Sequence, residues 1–145
     1  MARQFSTSID IAAPPATVWA VMSDVERWHE WTASIRSVTR LDEGPMRVGS
    51  RTKVRQPRLP VAFWTVSDWQ PGQGFSWVNR SPGLRVTGKH SVAPIACGTR
   101  ATLGLDVEGV FGPVLAWLTG GITERYIAME AAGLKARSEE LATRG

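Results

Sequence analysis

The chain has a single cysteine, Cys97, and so cannot close an internal disulfide. That suits a reducing compartment, and a cytoplasmic protein is expected. Only two histidines are present, His29 and His90, and with Cys97 they form no metal-ligand spacing. No Gly-rich loop follows a strand and opens a helix, so the phosphate cradle of nucleotide-binding proteins is missing. Neither a metal nor a cofactor is therefore expected. Asp68, Asp106 and Glu108 do not make a catalytic carboxylate pair. The longest uncharged run, between Glu108 and Glu124, is interrupted by Gly and Pro. It falls short of the roughly 20 residues a bilayer-spanning helix needs, so no stable membrane insertion is expected. Near the N-terminus, Arg3 and Asp10 bracket only a short alternating stretch, which is no signal-peptide apolar region.

What the chain does have is tryptophan, seven in 145 residues. This large amphipathic ring serves both cores and ligand pockets. Hydrophobic content of 43% and charged content of 21% are ordinary for a globular protein. The length fits one domain, residues 1–145, with a real core. The net charge of +4 permits attraction to anionic partners without requiring it. Arg51, Lys53 and Arg55 form a basic row, with Arg47 and Arg58 nearby. Period-2 alternation explains that row as a solvated sheet face. No aromatic residues interleave it as they do in single-strand binders, so no nucleic-acid partner is expected.

Phe5, Thr7, Ile9 and Ile11 alternate with polar residues as a half-buried strand. Pro14 and Pro15 end it and open a short helix carrying Val18, Trp19, Val21 and Met22. Asp24 breaks this helix or caps a second one, which carries Trp28 and Trp31. Strands are then expected over Ile35–Leu41, Val48–Arg55, Val61–Trp69, Phe75–Arg80, Arg85–Val92 and Ala101–Glu108. Turns rich in Gly and Pro separate most of them. From about Phe111 the period becomes helical. Leu115, Leu118, Ile122, Tyr126 and Met129 form one stripe, and Gly133 continues it. Gly120-Gly121 should weaken or kink this helix. Lys135 to Glu140 reads as a solvated helix end. Closely spaced strands with short turns predict an antiparallel meander with one apolar face, and only the long helix can cover it.

The run Ile11-Ala12-Ala13-Pro14, then Val18-Trp19, Asp24, Trp28 and Trp31, resembles the start of the START/Bet v 1-like superfamily. Within it the likeness is to polyketide cyclase/dehydrase-type proteins. Gly88-Lys89-His90-Ser91-Val92, Gly98-Thr99-Arg100-Ala101-Thr102 and Gly133-Leu134-Lys135 extend it over nearly the whole chain. The resemblance implies an α+β helix-grip fold. A curved seven-stranded antiparallel sheet would wrap the C-terminal helix, with two short helices after the first strand. It also implies an internal cavity for a lipid, polyketide or other apolar ligand. Glu30 stands before Trp31 where the family often has proline, and Ala16 stands where an acidic residue is common. The superfamily spans cyclases, carriers and receptors, so fold alone does not fix the activity.

His90 shares strand parity with Val86 and Val92, which places it on the apolar face. It could move a proton, hydrogen-bond a ligand carbonyl, or satisfy a neighbouring backbone group. Tyr126, the one tyrosine, falls on the helix stripe and could hold an enolate oxygen or sit in the core. Trp31, Trp64 and Trp77 are candidate cavity walls, whereas Trp19 and Trp28 read as packing. Trp64 shares a face with both Val66 and Asp68, which leaves its direction open. Leu105, Leu118, Ile122 and Met129 complete the expected ligand-binding set. Three functions fit. The first is binding of an apolar, ring-containing small molecule. The second is cyclisation or dehydration of a polyketide-like chain, with His90 as acid or base. The third is a protein or membrane interaction module using Phe111–Ile122, with a homodimer through the same segment left open.

Overall fold

The computed structural model describes residues 3–144. Strand β1 (Arg3–Ile11) leads into helix α1 (Pro15–Ser23) and a 3-10 turn over Val25–Glu30. Six strands follow: β2 (Ser37–Arg40), β3 (Arg51–Arg55), β4 (Ala62–Gln70), β5 (Gly74–Ser81), β6 (Leu84–Ile95) and β7 (Gly98–Glu108). Helix α2 (Gly112–Arg144) closes the chain. The sheet order is β1-β7-β6-β5-β4-β3-β2, with every neighbouring pair antiparallel. The chain thus has the seven-stranded helix-grip architecture expected of it. β1 crosses to the far edge and pairs with β7, with Arg3 opposite Val107 and Ile11 opposite Thr99.

The strand-to-helix junction is tied from both sides. The Pro14 carbonyl accepts from Thr17 N at 3.0 Å and Val18 N at 3.1 Å, opening α1. Thr99 Oγ1, fully buried, donates to the Ala13 carbonyl at 2.7 Å. The Ala12 amide donates to Glu139 at 2.9 Å, and Lys135 Nζ reaches the Asp10 carbonyl at 3.2 Å. Lys135 to Glu140 is therefore not simply a solvated tail. Its small Ser138 has no exposed surface, and it docks on the β1–α1 corner.

Three further expectations need correction. Val48 stands outside β3 and is largely exposed, because β3 starts only at Arg51. β4 carries a register shift between Val66 and Asp68, which turns Asp68 outward and Trp69 inward. The buried face of α2 consists of Gly112, Ala116, Ile127, Ala131, Leu134 and Ser138, not the large-residue stripe. Small side chains let the helix lie close on β1, β7 and α1, and the bulky residues are left on its flank.

The helix runs uninterrupted through Gly120-Gly121. Gly133 is where it comes nearest its neighbours. A Cβ there would stand 2.0 Å from the Trp31 carbonyl oxygen, while one at Gly121 would meet nothing within 4 Å. Gly133→Ala is expected to destabilise the protein by about 1–3 kcal/mol through overpacking. Gly121→Ala should stabilise it by about 0.8–1 kcal/mol through helix propensity. Thermal denaturation of the two variants checks both signs.

Candidate functional site

The inner face of the sheet is divided between rings and space. Phe75 and His90 are register partners on β5 and β6, and their rings stack at 4.3 Å with 14° between planes. Trp28 comes down from the 3-10 turn onto this pair, 5.2 Å from His90 and 5.3 Å from Trp77. Its indole N–H donates to the Met22 carbonyl at 3.0 Å, which satisfies the one polar atom the ring brings into the core. Trp69 and Trp19 extend the cluster at one end. Trp64 extends it at the other, 5.8 Å from Trp77. Gly88 makes room for Trp77, since a Cβ there would stand 2.8 Å from its Nε1.

Beyond Trp64 the rings stop and a cavity of about 430 Å³ begins. Trp64, Leu84, Val86, Leu105 and Val107 wall it on the sheet side. Leu115, Thr119, Thr123, Tyr126 and Ile127 wall it on α2, and Leu59, Pro60 and Val61 form its rim. The walls are mainly apolar, with a few polar groups from Gln56, Asn79 and Glu130, the composition of a small-molecule site. A depression of about 480 Å³ also lies on the face of the sheet away from α2, lined by Gln70, Ser76, Lys89, Ser91 and Asp106. Most of its lining side chains are polar, and Lys89 and Asp106 pair across it, so it offers an apolar ligand little.

Among the residues expected to bind ligand, Trp64, Leu105 and Tyr126 meet in the cavity. Ile122 and Met129 stand beside it, in a shallow recess with Tyr126, Pro57, Arg58 and Arg125. Trp77 is buried in the ring cluster, and Trp31 packs on Trp28 at 5.8 Å, facing a separate surface recess with Ala20 and Arg137. Leu118 is 65% exposed and faces solvent, because the helix turns its small residues inward. His90 lies within the ring cluster rather than along the cavity wall. Its Nδ1 lies 3.2 Å from the Phe75 carbonyl, and enclosure by the rings pushes its pKa down to about 4 against that carbonyl's weaker upward pull. The imidazole is neutral at physiological pH. The Tyr126 hydroxyl donates to the Pro57 carbonyl, tying α2 to the β3–β4 loop.

The residue that sequence reasoning missed is Glu130. It lines the cavity one helical turn beyond Tyr126 and two beyond Thr123. Burial pushes its pKa up to about 8, opposed by a weaker hydrogen bond from Ser34. Ser34 itself is fully buried and shares a 2.8 Å hydrogen bond with Thr32. The signal was present in the spacing, because Thr123, Tyr126 and Glu130 lie three and four residues apart on one face.

The seven-stranded sheet gripping α2 defines a helix-grip class of protein. Residues 2–140 match the model of the family described as polyketide cyclase / dehydrase and lipid transport, and the chain belongs to that family. No curated protein matches it. Among solved structures it is similar to the Zhui aromatase/cyclase from Streptomyces sp. R1128, with 16% identity and a TM-score of 0.77 over 96% of this chain and 94% of that one. A START superfamily protein from Mycobacterium smegmatis is similar at 22% identity and TM-score 0.72, covering 95% and 98% of the two chains. A protein from Thermus thermophilus is similar at 20% identity and TM-score 0.76, covering 99% and 100%.

The two most strongly shifted groups, Glu130 and His90, give stability opposite pH dependences. Between its ordinary value of 4.5 and about 8, Glu130 keeps its proton folded and loses it unfolded, so stability falls as pH rises. Between about 4 and 6.5, His90 is neutral folded and protonated unfolded, so stability rises with pH. The slopes oppose below pH 6.5, and above it Glu130 acts alone. Stability of the wild type should fall from there toward pH 8, by up to about 1.4 kcal/mol per pH unit. Glu130→Gln should flatten that decline. Chemical denaturation across the range measures both.

Proposed function

We propose that this protein binds an apolar, ring-containing small molecule, lipid or polyketide-like, in the cavity between α2 and β4–β7. The observation that carries the reading is a mainly apolar space of about 430 Å³ bounded by an indole wall, Trp64, and by a half-buried carboxyl, Glu130. Apolar burial supplies the affinity, at roughly 25 cal/mol per Å² before ordering costs. A flat ring lies against Trp64. At neutral pH the Glu130 carboxyl is protonated and donates a hydrogen bond to a ligand oxygen, and Gln56 and Asn79 offer amide groups around the same space. Ionised Glu130 loses that donor, so binding of a neutral ligand weakens above about pH 8.

A second reading is catalytic: cyclisation or dehydration of a polyketide-like chain. Glu130 favours it, being a carboxylic acid able to give a proton near neutral pH inside a water-poor site. The family description names such enzymes, and so does the Zhui structure. The cavity would hold a flexible chain in one folded geometry and lower the entropy barrier to ring closure. An enol carbon of the chain would attack a carbonyl carbon, Glu130 would protonate the oxygen as that C=O π bond opens, and the enol hydroxyl proton would return to the Glu130 carboxylate. Under this reading Glu130→Gln loses ring formation while still retaining the chain.

Native mass spectrometry of the purified protein, with identification of any released molecule, tests occupancy directly. Titration with the apolar dye Nile red tests its place. Thr123→Trp, which fills the cavity from α2, is expected to weaken dye binding at least about tenfold, equivalent to about 1.4 kcal/mol. His90→Phe, within the ring cluster, should leave it unchanged. Equal dye binding by wild type and a folded Thr123→Trp variant would overturn the assignment.

A further inference from the structure

The first turns of α2 carry large apolar side chains into solvent. Phe111 and Val114 are more than half exposed, Leu118 is 65% exposed and Trp117 is 81% exposed. A tryptophan left so bare is unusual, because it forfeits much of the burial that its size offers. This face is continuous with the cavity mouth. The Phe111 ring lies over Gly83 in the β5–β6 turn, where an added Cβ would stand 2.5 Å from it. Leu115, one turn along, lines the cavity. Val61, on the opposite rim, is also exposed.

Three arginines surround the same opening. Arg80 lines the cavity mouth, and Arg58 and Arg125 line the recess beside it, next to Ile122. All three are exposed, and none forms an ion pair among the described residues. Among the described residues six of the other eleven arginines form ion pairs, Arg85 with Glu108 and Arg100 with Asp10 among them. Glu124 is the one acidic residue between Gly112 and Arg125. An apolar patch bearing a tryptophan and flanked by unpaired cations complements a negatively charged lipid surface.

We propose that this mouth docks on an anionic bilayer. Phe111, Val114, Trp117 and Leu118 enter the headgroup region, and the three arginines pair with lipid phosphate. Docking sets the cavity opening against the membrane, so an apolar ligand can pass between the two without crossing water. That passage rests on the ligand-binding reading, whereas the docking itself does not.

Flotation with vesicles of phosphatidylcholine, alone or mixed with phosphatidylglycerol, tests the inference. The wild type should float with the mixed vesicles at low salt and be released by high salt, with at least about tenfold weaker binding to neutral ones. Arg58→Glu/Arg125→Glu and Trp117→Ser/Leu118→Ser should each weaken binding about tenfold or more. Nile red affinity without vesicles, measured on the same variants, should not change, which separates failure of docking from failure of the cavity reading. Two results would overturn the proposal. One is absence of flotation with anionic vesicles, or equal flotation of the charge-reversed variant. The other is a concentration-dependent dimer in sedimentation velocity that Trp117→Ser/Leu118→Ser disperses, which would assign the face to a second copy of the chain.

Discussion

The packing of Trp28 on the stacked rings of Phe75 and His90 decides where this molecule is solid and where it is hollow. The 3-10 turn exists to present Trp28, whose indole N–H is satisfied by the Met22 carbonyl within the same chain segment. Trp77 packs on that ring, Trp69 and Trp19 pack on Phe75, and one end of the sheet's inner face is filled. Space remains beyond Trp64. The cavity is therefore what the rings leave over.

The long helix answers the same constraint from the other side. Its glycine and alanine face lies on β1 and β7, and its C-terminal half is fixed against Trp31 and the β1–α1 corner. Tyr126 ties its middle to the β3–β4 loop through Pro57. Thr119, Thr123 and Glu130 are consequently held over the open part of the sheet and cannot close onto it. A buried carboxyl is costly unless it keeps its proton, and the raised pKa of Glu130 expresses that cost. Polar groups in such a place stabilise nothing that an apolar residue could not stabilise better.

The fold was legible because its signals are local. Period-2 alternation in β1, β6 and β7 and the Gly/Pro turns between strands placed most elements within a few residues. The family resemblance then supplied the curl of the sheet around the helix. The site was less legible, for three physical reasons. The register shift after Val66 swaps which of Asp68 and Trp69 points inward, and alternation cannot show a shift of one residue. Hydrophobicity favours large side chains, so Leu118 outranked Ala116 and Ala131, although close helix packing selects the small ones. His90 stood out as a titratable group on an apolar face, but parity does not say whether such a group meets a cavity or another ring. Glu130 drew no notice because acidic residues late in a long helix usually face water.

The rings also form an optical circuit. Trp19, Trp69, Phe75, Trp77 and Trp64 follow one another with neighbouring centroids 5.2–5.8 Å apart, and Trp28 joins the series 5.3 Å from Trp77. Indoles that close exchange excitation energy before they emit. Only Trp64 touches the cavity, yet a chromophore lying against it drains light absorbed by the whole series. The protein therefore carries its own reporter of occupancy, wired by the same packing that keeps the cavity open.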